Sequence, residues 1–169
     1  MFEGAHTAIV TPFLDGKIDE PALRNLIDFQ FDNKISGIVP CGTTGESPTL
    51  SNEEHKRIIE IAVETTAGKG KVIAGTGSNS TKEAITMTQH AQEAGADAAL
   101  LVCPYYNKPS QEGLFQHYKA IASGTDLPIM LYSIPGRSVI EISVETQLRL
   151  HEQCPNIRAM KEAGGNVSR

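Results

Sequence analysis

The sequence lacks the patterns that mark secreted, disulfide-bonded and membrane-spanning proteins. Its 169 residues include only three cysteines, which lie far apart, form no Cys-x-x-Cys pair and suggest no disulfide framework. No apolar run approaches the roughly 18 residues of a membrane-spanning helix, and the N-terminus lacks the charged and apolar regions of a signal peptide. We therefore expect a cytoplasmic protein with reduced thiols.

Charge and motif spacing argue against several further ligands. The net charge is −5 and the lysines and arginines are scattered, so neither nucleic acid nor a membrane is an expected partner. The five histidines show no metal-binding spacing, and we expect no metal. Residues 42–47 lack the Gly-Lys-Ser/Thr of a P-loop, and Gly75-Thr76-Gly77 lacks the third glycine of a dinucleotide fingerprint. A nicotinamide cofactor is therefore not expected.

What the sequence does contain is a regular series of apolar runs, whose starts lie about 30 residues apart, the length of a strand–helix unit. The six runs are 8–10, 35–41, 72–74, 98–103, 128–132 and 157–160. Amphipathic helical patterns fill the gaps between them. Predicted helix N-caps, two of them in capping boxes, are Ser51 with Glu54, Ser80 with Glu83, Ser110 and Ser143. This alternation predicts an α/β fold with a parallel sheet.

Two architectures fit that alternation, an open doubly wound sheet and a TIM (β/α)8 barrel. Polar or glycine-rich clusters follow nearly every predicted strand, as they do in a barrel, where the site residues come from many strand ends. Only six strands are present, whereas a barrel needs eight strands and about 250 residues. We therefore expect residues 1–169 to be the N-terminal part of a single (β/α)8 catalytic barrel, truncated after the sixth strand.

Lys161 is the first candidate for chemistry, because it stands where an apolar run gives way to Gly164-Gly165. An ammonium half-desolvated among apolar neighbours has a lowered pKa. Its free amine can attack a carbonyl and form a Schiff base. The alternative is an ordinary surface charge at the end of a strand.

Other candidates follow other strands. Residues 42–47, Gly-Thr-Thr-Gly-Glu-Ser, could hold a small carboxylate, or could form a plain turn. Tyr105, Tyr106 and Tyr132 could relay protons, or could only pack. Arg137, directed by Pro135-Gly136, could bind a second carboxylate, or could be a solvated surface arginine. Together these residues describe a lysine-dependent aldolase that acts on a keto acid.

Four motifs carry a resemblance that runs through the whole chain. They are residues 42–47, 104–113 (Pro-Tyr-Tyr-Asn-Lys-Pro-Ser-Gln-Glu-Gly), 132–137 (Tyr-Ser-Ile-Pro-Gly-Arg) and 161–163 (Lys-Glu-Ala). In order and spacing they resemble the dihydrodipicolinate (4-hydroxy-tetrahydrodipicolinate) synthase family, within the N-acetylneuraminate lyase superfamily of lysine-dependent aldolases. Ser133 departs from the family's more usual asparagine. Family members are (β/α)8 barrels with a small C-terminal helical region, so the resemblance implies that this region and the last strands are absent here.

The resemblance implies condensation of pyruvate with aspartate semialdehyde, toward diaminopimelate and lysine, in a homotetramer without a cofactor. Lys161 would form the imine with pyruvate, and Tyr132 would donate and accept protons. Thr43 and Tyr106 would complete the proton relay, with Tyr106 reaching a neighbouring subunit's site. Thr44 would bind the pyruvate carboxylate, and Arg137 the carboxylate of the aldehyde.

The resemblance also implies a separate site at which lysine inhibits the enzyme. Its residues would be Ser47, Pro48, His55, Asn79, Glu83 and Tyr105.

Two alternative functions remain beside the synthase. One is a related pyruvate-dependent aldolase, an N-acetylneuraminate lyase or keto-sugar-acid aldolase, against which Thr43 and Arg137 argue. The other is an inactive binding or dimerisation module.

Overall fold

The structure is a computed structural model that describes residues 2–166 and residue 168. The strands are β1 (His6–Ala8), β2 (Phe13–Leu14), β3 (Lys17–Ile18), β4 (Gly37–Val39), β5 (Lys71–Gly75), β6 (Ala98–Val102), β7 (Ile129–Ser133) and β8 (Ile157–Glu162). The helices are α1 (Glu20–Asp32), α2 (Asn52–Thr66), α3 (Thr81–Ala94), α4 (Gln111–Ala122), α5 (Pro135–Ser138) and α6 (Val144–Gln153). The chain forms two compact units: an N-terminal unit of residues 1–75 and 90–98, and a C-terminal unit of residues 76–89 and 99–169.

The N-terminal unit is built on a parallel ladder of three strands, in which β4 pairs with both β1 and β5. Helix α1 buries Leu23 and Ile27 completely, and α2 buries Ile58 and Ile59 in the same core. On the outer side of the two helices, Arg57 makes a bidentate contact with the Glu20 carboxylate at 2.7 and 2.8 Å. This apolar core and ionic outer face are what the helical periodicity of the sequence predicts.

The C-terminal unit contains a second parallel ladder, in which β7 pairs with β6 and with β8. Its register aligns Tyr132 of β7 with Val102 of β6 on one side and with Lys161 of β8 on the other. Helix α4 buries Phe115 and Tyr118 almost completely. The strand ends that carry the candidate site residues are therefore anchored in a well-packed core.

The predicted alternation of parallel strands and helices is confirmed, with local corrections. The first strand is His6–Ala8 rather than residues 8–10, and Val10 is half exposed. The last strand extends to Glu162, two residues beyond the predicted run 157–160, and Lys161 is its penultimate residue, at the predicted strand end. An unpredicted antiparallel hairpin, β2 with β3, turns at Asp15-Gly16.

Most predicted helix caps are confirmed. Ser51 and Glu54 form both hydrogen bonds of a capping box, and Ser110 and Ser143 accept hydrogen bonds at the starts of α4 and α6. The box at Ser80 is only half right. The Ser80 hydroxyl accepts the Glu83 N–H, but the Glu83 carboxylate accepts from the Ser78 hydroxyl instead of the Ser80 backbone. The Ser80 N–H donates to the Ser78 hydroxyl, which takes the carboxylate's place at the cap.

The length and hydropathy of the helices show whether any of them could cross a membrane. Within residues 2–166 and 168, no helix combines the length and the apolar character needed to cross a membrane.

Candidate functional site

Lys161 and Tyr132 form the centre of the candidate site. They are register partners on the parallel strands β8 and β7, and side chains at matched positions of neighbouring strands project to the same face. The Lys161 Nζ lies over the Tyr132 ring, 4.3 Å from its centroid. Tyr132 is buried and Lys161 is half-buried. The amine of Lys161 thus lies against the face of the Tyr132 ring.

Burial lowers the pKa of Lys161 below its ordinary value. The physical cause is desolvation, which penalises the ammonium more than the neutral amine. No carboxylate of the described residues contributes to the shift. A larger share of the side chain is therefore free amine near neutral pH than in an exposed lysine, which is the form that attacks a carbonyl.

Arg137 lies on the connection that follows β7. It occupies the third position of the one-turn helix α5, and its backbone N–H donates to the Ile134 carbonyl at 2.9 Å. Its side chain is exposed, and within the described part of the chain no carboxylate pairs with its guanidinium. A guanidinium without a partner remains available to bind a carboxylate through two parallel hydrogen bonds.

The predicted carboxylate loop follows β4 in the N-terminal unit. Thr43 and Thr44 are exposed at its tip, between two buried glycines. The Gly45 N–H donates to the Gly42 carbonyl at 3.1 Å, and the Thr11 hydroxyl donates to the Gly45 carbonyl at 2.8 Å. The loop is therefore a fixed turn that presents two hydroxyls, as a small anion would require.

The tyrosines after β6 have different environments. Tyr106 is 91% exposed and takes a left-handed backbone conformation, with φ of 71°. Tyr105 is half-buried, and its pKa is raised first by burial and then by the nearby Glu83 carboxylate. The Asn79 side chain donates to the Tyr105 carbonyl at 3.2 Å. Tyr105 is thus partly shielded from solvent, whereas Tyr106 projects into it.

Of the six residues expected to bind lysine, the structure brings three together in the C-terminal unit. Asn79, Glu83 and Tyr105 surround the start of α3, where the Ser78 hydroxyl donates to the Glu83 carboxylate. Ser47, Pro48 and His55 belong to the N-terminal unit. Ser47 and Pro48 lie in a 3₁₀ turn, and His55 is buried with its Nε2 2.7 Å from the Gly75 carbonyl oxygen.

Some residues around the site were not predicted. Ser78 holds the Glu83 carboxylate, and Ser138 is buried on the connection that carries Arg137. Gln111 fastens the far end of that connection through the Glu141 carbonyl and the Ser143 N–H. These contacts join residues that are distant in sequence or depend on burial, so no local pattern indicates them.

Metal coordination has no candidate among the residues that the structure describes. Within residues 2–166 and 168, no group of three histidine, cysteine, aspartate or glutamate side chains is placed to hold a metal ion. The reactive groups at the strand ends are an amine, a phenol and a guanidinium.

Comparison with known proteins gives consistent results. The model of the dihydrodipicolinate synthetase family matches residues 1–169. The 4-hydroxy-tetrahydrodipicolinate synthase of Rhizobium meliloti is 57% identical over 169 residues, which cover all of this chain and 58% of that protein. The chain thus spans little more than half the length of this relative.

Solved structures agree in fold. A dihydrodipicolinate synthase from Acinetobacter baumannii, described as chloride inhibited and in complex with pyruvate, is 49% identical with a TM-score of 0.97, covering 100% of this chain and 58% of that one. One from Cyanidioschyzon merolae, described with lysine bound, is 46% identical with a TM-score of 0.95, covering 99% of this chain and 57% of that one. This likeness confirms the predicted (β/α)8-barrel fold for the part of the barrel that the chain spans.

Proposed function

Because the chain belongs to the dihydrodipicolinate synthetase family, we propose that its complete gene product condenses pyruvate with aspartate 4-semialdehyde to give 4-hydroxy-tetrahydrodipicolinate. The observation that carries this proposal is the half-buried Lys161 amine, with a lowered pKa, held over the Tyr132 ring. The pyruvate described in the Acinetobacter baumannii synthase supports the same first substrate.

The proposed chemistry begins at the Lys161 amine. The amine adds to the keto carbon of pyruvate, and loss of water leaves an imine. Removal of a proton from the pyruvate methyl group gives an enamine, which attacks the aldehyde carbon of the second substrate. The amine of that substrate then displaces Lys161 and closes the ring. Tyr132 donates and accepts the protons, with Thr43 and Tyr106 as the rest of the relay.

Two groups would bind the substrate carboxylates. Thr44 and the backbone of its loop bind the carboxylate of pyruvate. The exposed hydroxyls of this fixed turn support that role. Arg137 binds the carboxylate of aspartate semialdehyde. Its guanidinium supports this role, because it is exposed and pairs with no carboxylate of the described residues. The proposed reaction needs no cofactor. The imine itself withdraws electron density from the methyl group of pyruvate and so activates it for proton removal.

The complete protein is proposed to act as a cytoplasmic homotetramer, a dimer of dimers. The support within the chain is Tyr106, which is 91% exposed although its proposed role is catalytic. A phenol in solvent cannot relay protons in a sheltered site. It can do so if it enters the site of a neighbouring subunit.

Lysine is proposed to inhibit the complete protein at Ser47, Pro48, His55, Asn79, Glu83 and Tyr105. The Glu83 carboxylate could pair with an ammonium, and Asn79 and Tyr105 offer hydrogen bonds. The lysine described in the Cyanidioschyzon merolae synthase supports a lysine site in this family. Since Tyr105 adjoins Tyr106, lysine bound there could disturb the proposed relay.

A turnover assay of the complete gene product tests the proposal. With pyruvate and aspartate semialdehyde we expect the cyclic product, and with N-acetylneuraminate or a keto-sugar acid we expect no cleavage. Lys161→Ala should abolish the product. Cleavage of the sugar acids in place of condensation would assign the chain to a related aldolase, and no turnover of either kind would leave a binding module.

A further inference from the structure

The connection between β7 and α6, residues 134–143, carries a small set of contacts that the proposed reaction does not use. Arg137 projects from it into solvent and touches no carboxylate of the described residues. A long side chain of this kind loses rotational freedom when it binds a ligand. The cost is smaller if the backbone beneath it is already fixed.

Ser138, the next residue, fixes that backbone. It is only 1% exposed, and its hydroxyl lies 3.0 Å from the Ile134 carbonyl oxygen and 2.8 Å from that of Ile140. The backbone N–H groups of Arg137 and Ser138 both donate to the same Ile134 carbonyl at 2.9 Å. One hydroxyl proton therefore links the carbonyls on either side of Arg137, in a shared hydrogen bond.

The backbone of the connection is strained at Val139. It has φ of 66°, a left-handed conformation that is a rare outlier for a β-branched residue. Its side chain is 63% exposed, so its own packing does not offset the strain. The Val139 N–H donates to the Pro135 carbonyl at 2.9 Å, and Gln111 holds the Glu141 carbonyl at 2.8 Å beyond it. Such strain persists where surrounding contacts over-determine the backbone, and it marks functional segments.

We infer that Ser138 is a positioning residue for Arg137, and that its hydroxyl and the strained turn at Val139 set the affinity for the carboxylate of the second substrate. The inference rests on the proposed function, because it needs Arg137 to bind that carboxylate. It adds a specificity role for a buried hydroxyl that does not itself touch substrate.

The test compares Ser138→Ala and Ser138→Thr in the complete gene product. Ser138→Ala should raise the KM for aspartate semialdehyde roughly tenfold, while kcat and the KM for pyruvate change less than about twofold. Ser138→Thr keeps the hydroxyl and should restore most of the affinity. Ser123→Ala is the control, since the Ser123 hydroxyl makes the same kind of bond, to the Lys119 carbonyl at 2.8 Å, at the exposed C-cap of α4.

A double-mutant cycle separates positioning from general stability. In an Arg137→Ala background, Ser138→Ala should have no further effect on the KM for the semialdehyde. Val139→Gly should raise the melting temperature by relieving strain and yet raise the same KM. Equal effects of Ser138→Ala in both backgrounds, or an unchanged KM in the single variant, would overturn the inference. If borohydride fails to trap pyruvate on the unmodified protein, the proposed function fails instead, so the two failures are distinguishable.

Discussion

Acidification should destabilise the C-terminal unit through His117. This residue is 5% exposed, its Nδ1 lies 2.8 Å from the Thr81 hydroxyl, and the Tyr118 ring meets it edge-on at 5.1 Å. Its buried Nε2 has no hydrogen-bond partner among the described residues. Burial therefore lowers the pKa of His117 from 6.5 to about 4.

The sign and size of the effect follow from proton linkage. The folded state binds fewer protons than the unfolded state between the two pKa values, so the stability is complete above pH 6.5 and is lost as the pH falls toward 4. A gap of that width corresponds to a loss of about 3 kcal/mol in the free energy of unfolding. Urea unfolding at pH 7, 6, 5 and 4 measures it.

The His117→Gln variant isolates this contribution, because glutamine cannot titrate. Its free energy of unfolding should fall less steeply with acid than that of the unmodified chain, by about 1.4 kcal/mol per pH unit in the middle of the range. Thr81→Ala is the control, since it removes the hydrogen bond but leaves the imidazole buried. Parallel curves for the unmodified chain and His117→Gln would refute the reasoning.

Three further predictions concern the complete gene product. Tyr132→Phe should lower the rate of condensation about 10²- to 10⁴-fold, which is the usual contribution of an acid–base group. Borohydride trapping of pyruvate should continue in this variant, and loss of trapping would show a different role for Tyr132. Arg137→Ala should raise the KM for aspartate semialdehyde roughly 30- to 900-fold, corresponding to about 2–4 kcal/mol, and an equal loss of pyruvate trapping would contradict the role. Glu83→Ala should abolish inhibition by millimolar lysine, whereas the control Glu93→Ala on the same helix should not. Inhibition that survives in Glu83→Ala would place the lysine site elsewhere.

The strands and caps could be predicted because their signals are local. Continuous apolar runs identified the central strands, and Pro40 directly follows β4, as expected of a residue that lacks a ladder donor. Serine at a helix start accepts the N–H three residues on, so Ser110 and Ser143 needed no tertiary information. The hairpin at Asp15-Gly16 was not predicted, although this pair is a local hairpin signal and both residues have positive φ.

Tertiary pairing decided the rest. The first strand begins at His6, because pairing with Gly37 and not apolar character alone sets its limits. That Lys161 lies at a strand end could be predicted, but its place over the Tyr132 ring depends on the register of β7 and β8. The burial of Ser138 likewise depends on the path of the chain around it. The sequence therefore suggests candidate residues for the site, but how their side chains are held depends on the tertiary structure.

Reductive trapping with pyruvate tests the central claim most directly. The complete gene product is treated with borohydride in the presence of pyruvate and digested, and the modified peptide is identified by mass spectrometry. The proposed chemistry predicts a reduced pyruvate adduct on Lys161, which Lys161→Arg eliminates and which forms faster as the pH rises toward the lowered pKa of Lys161. An adduct on another lysine, or turnover without any adduct, would contradict it.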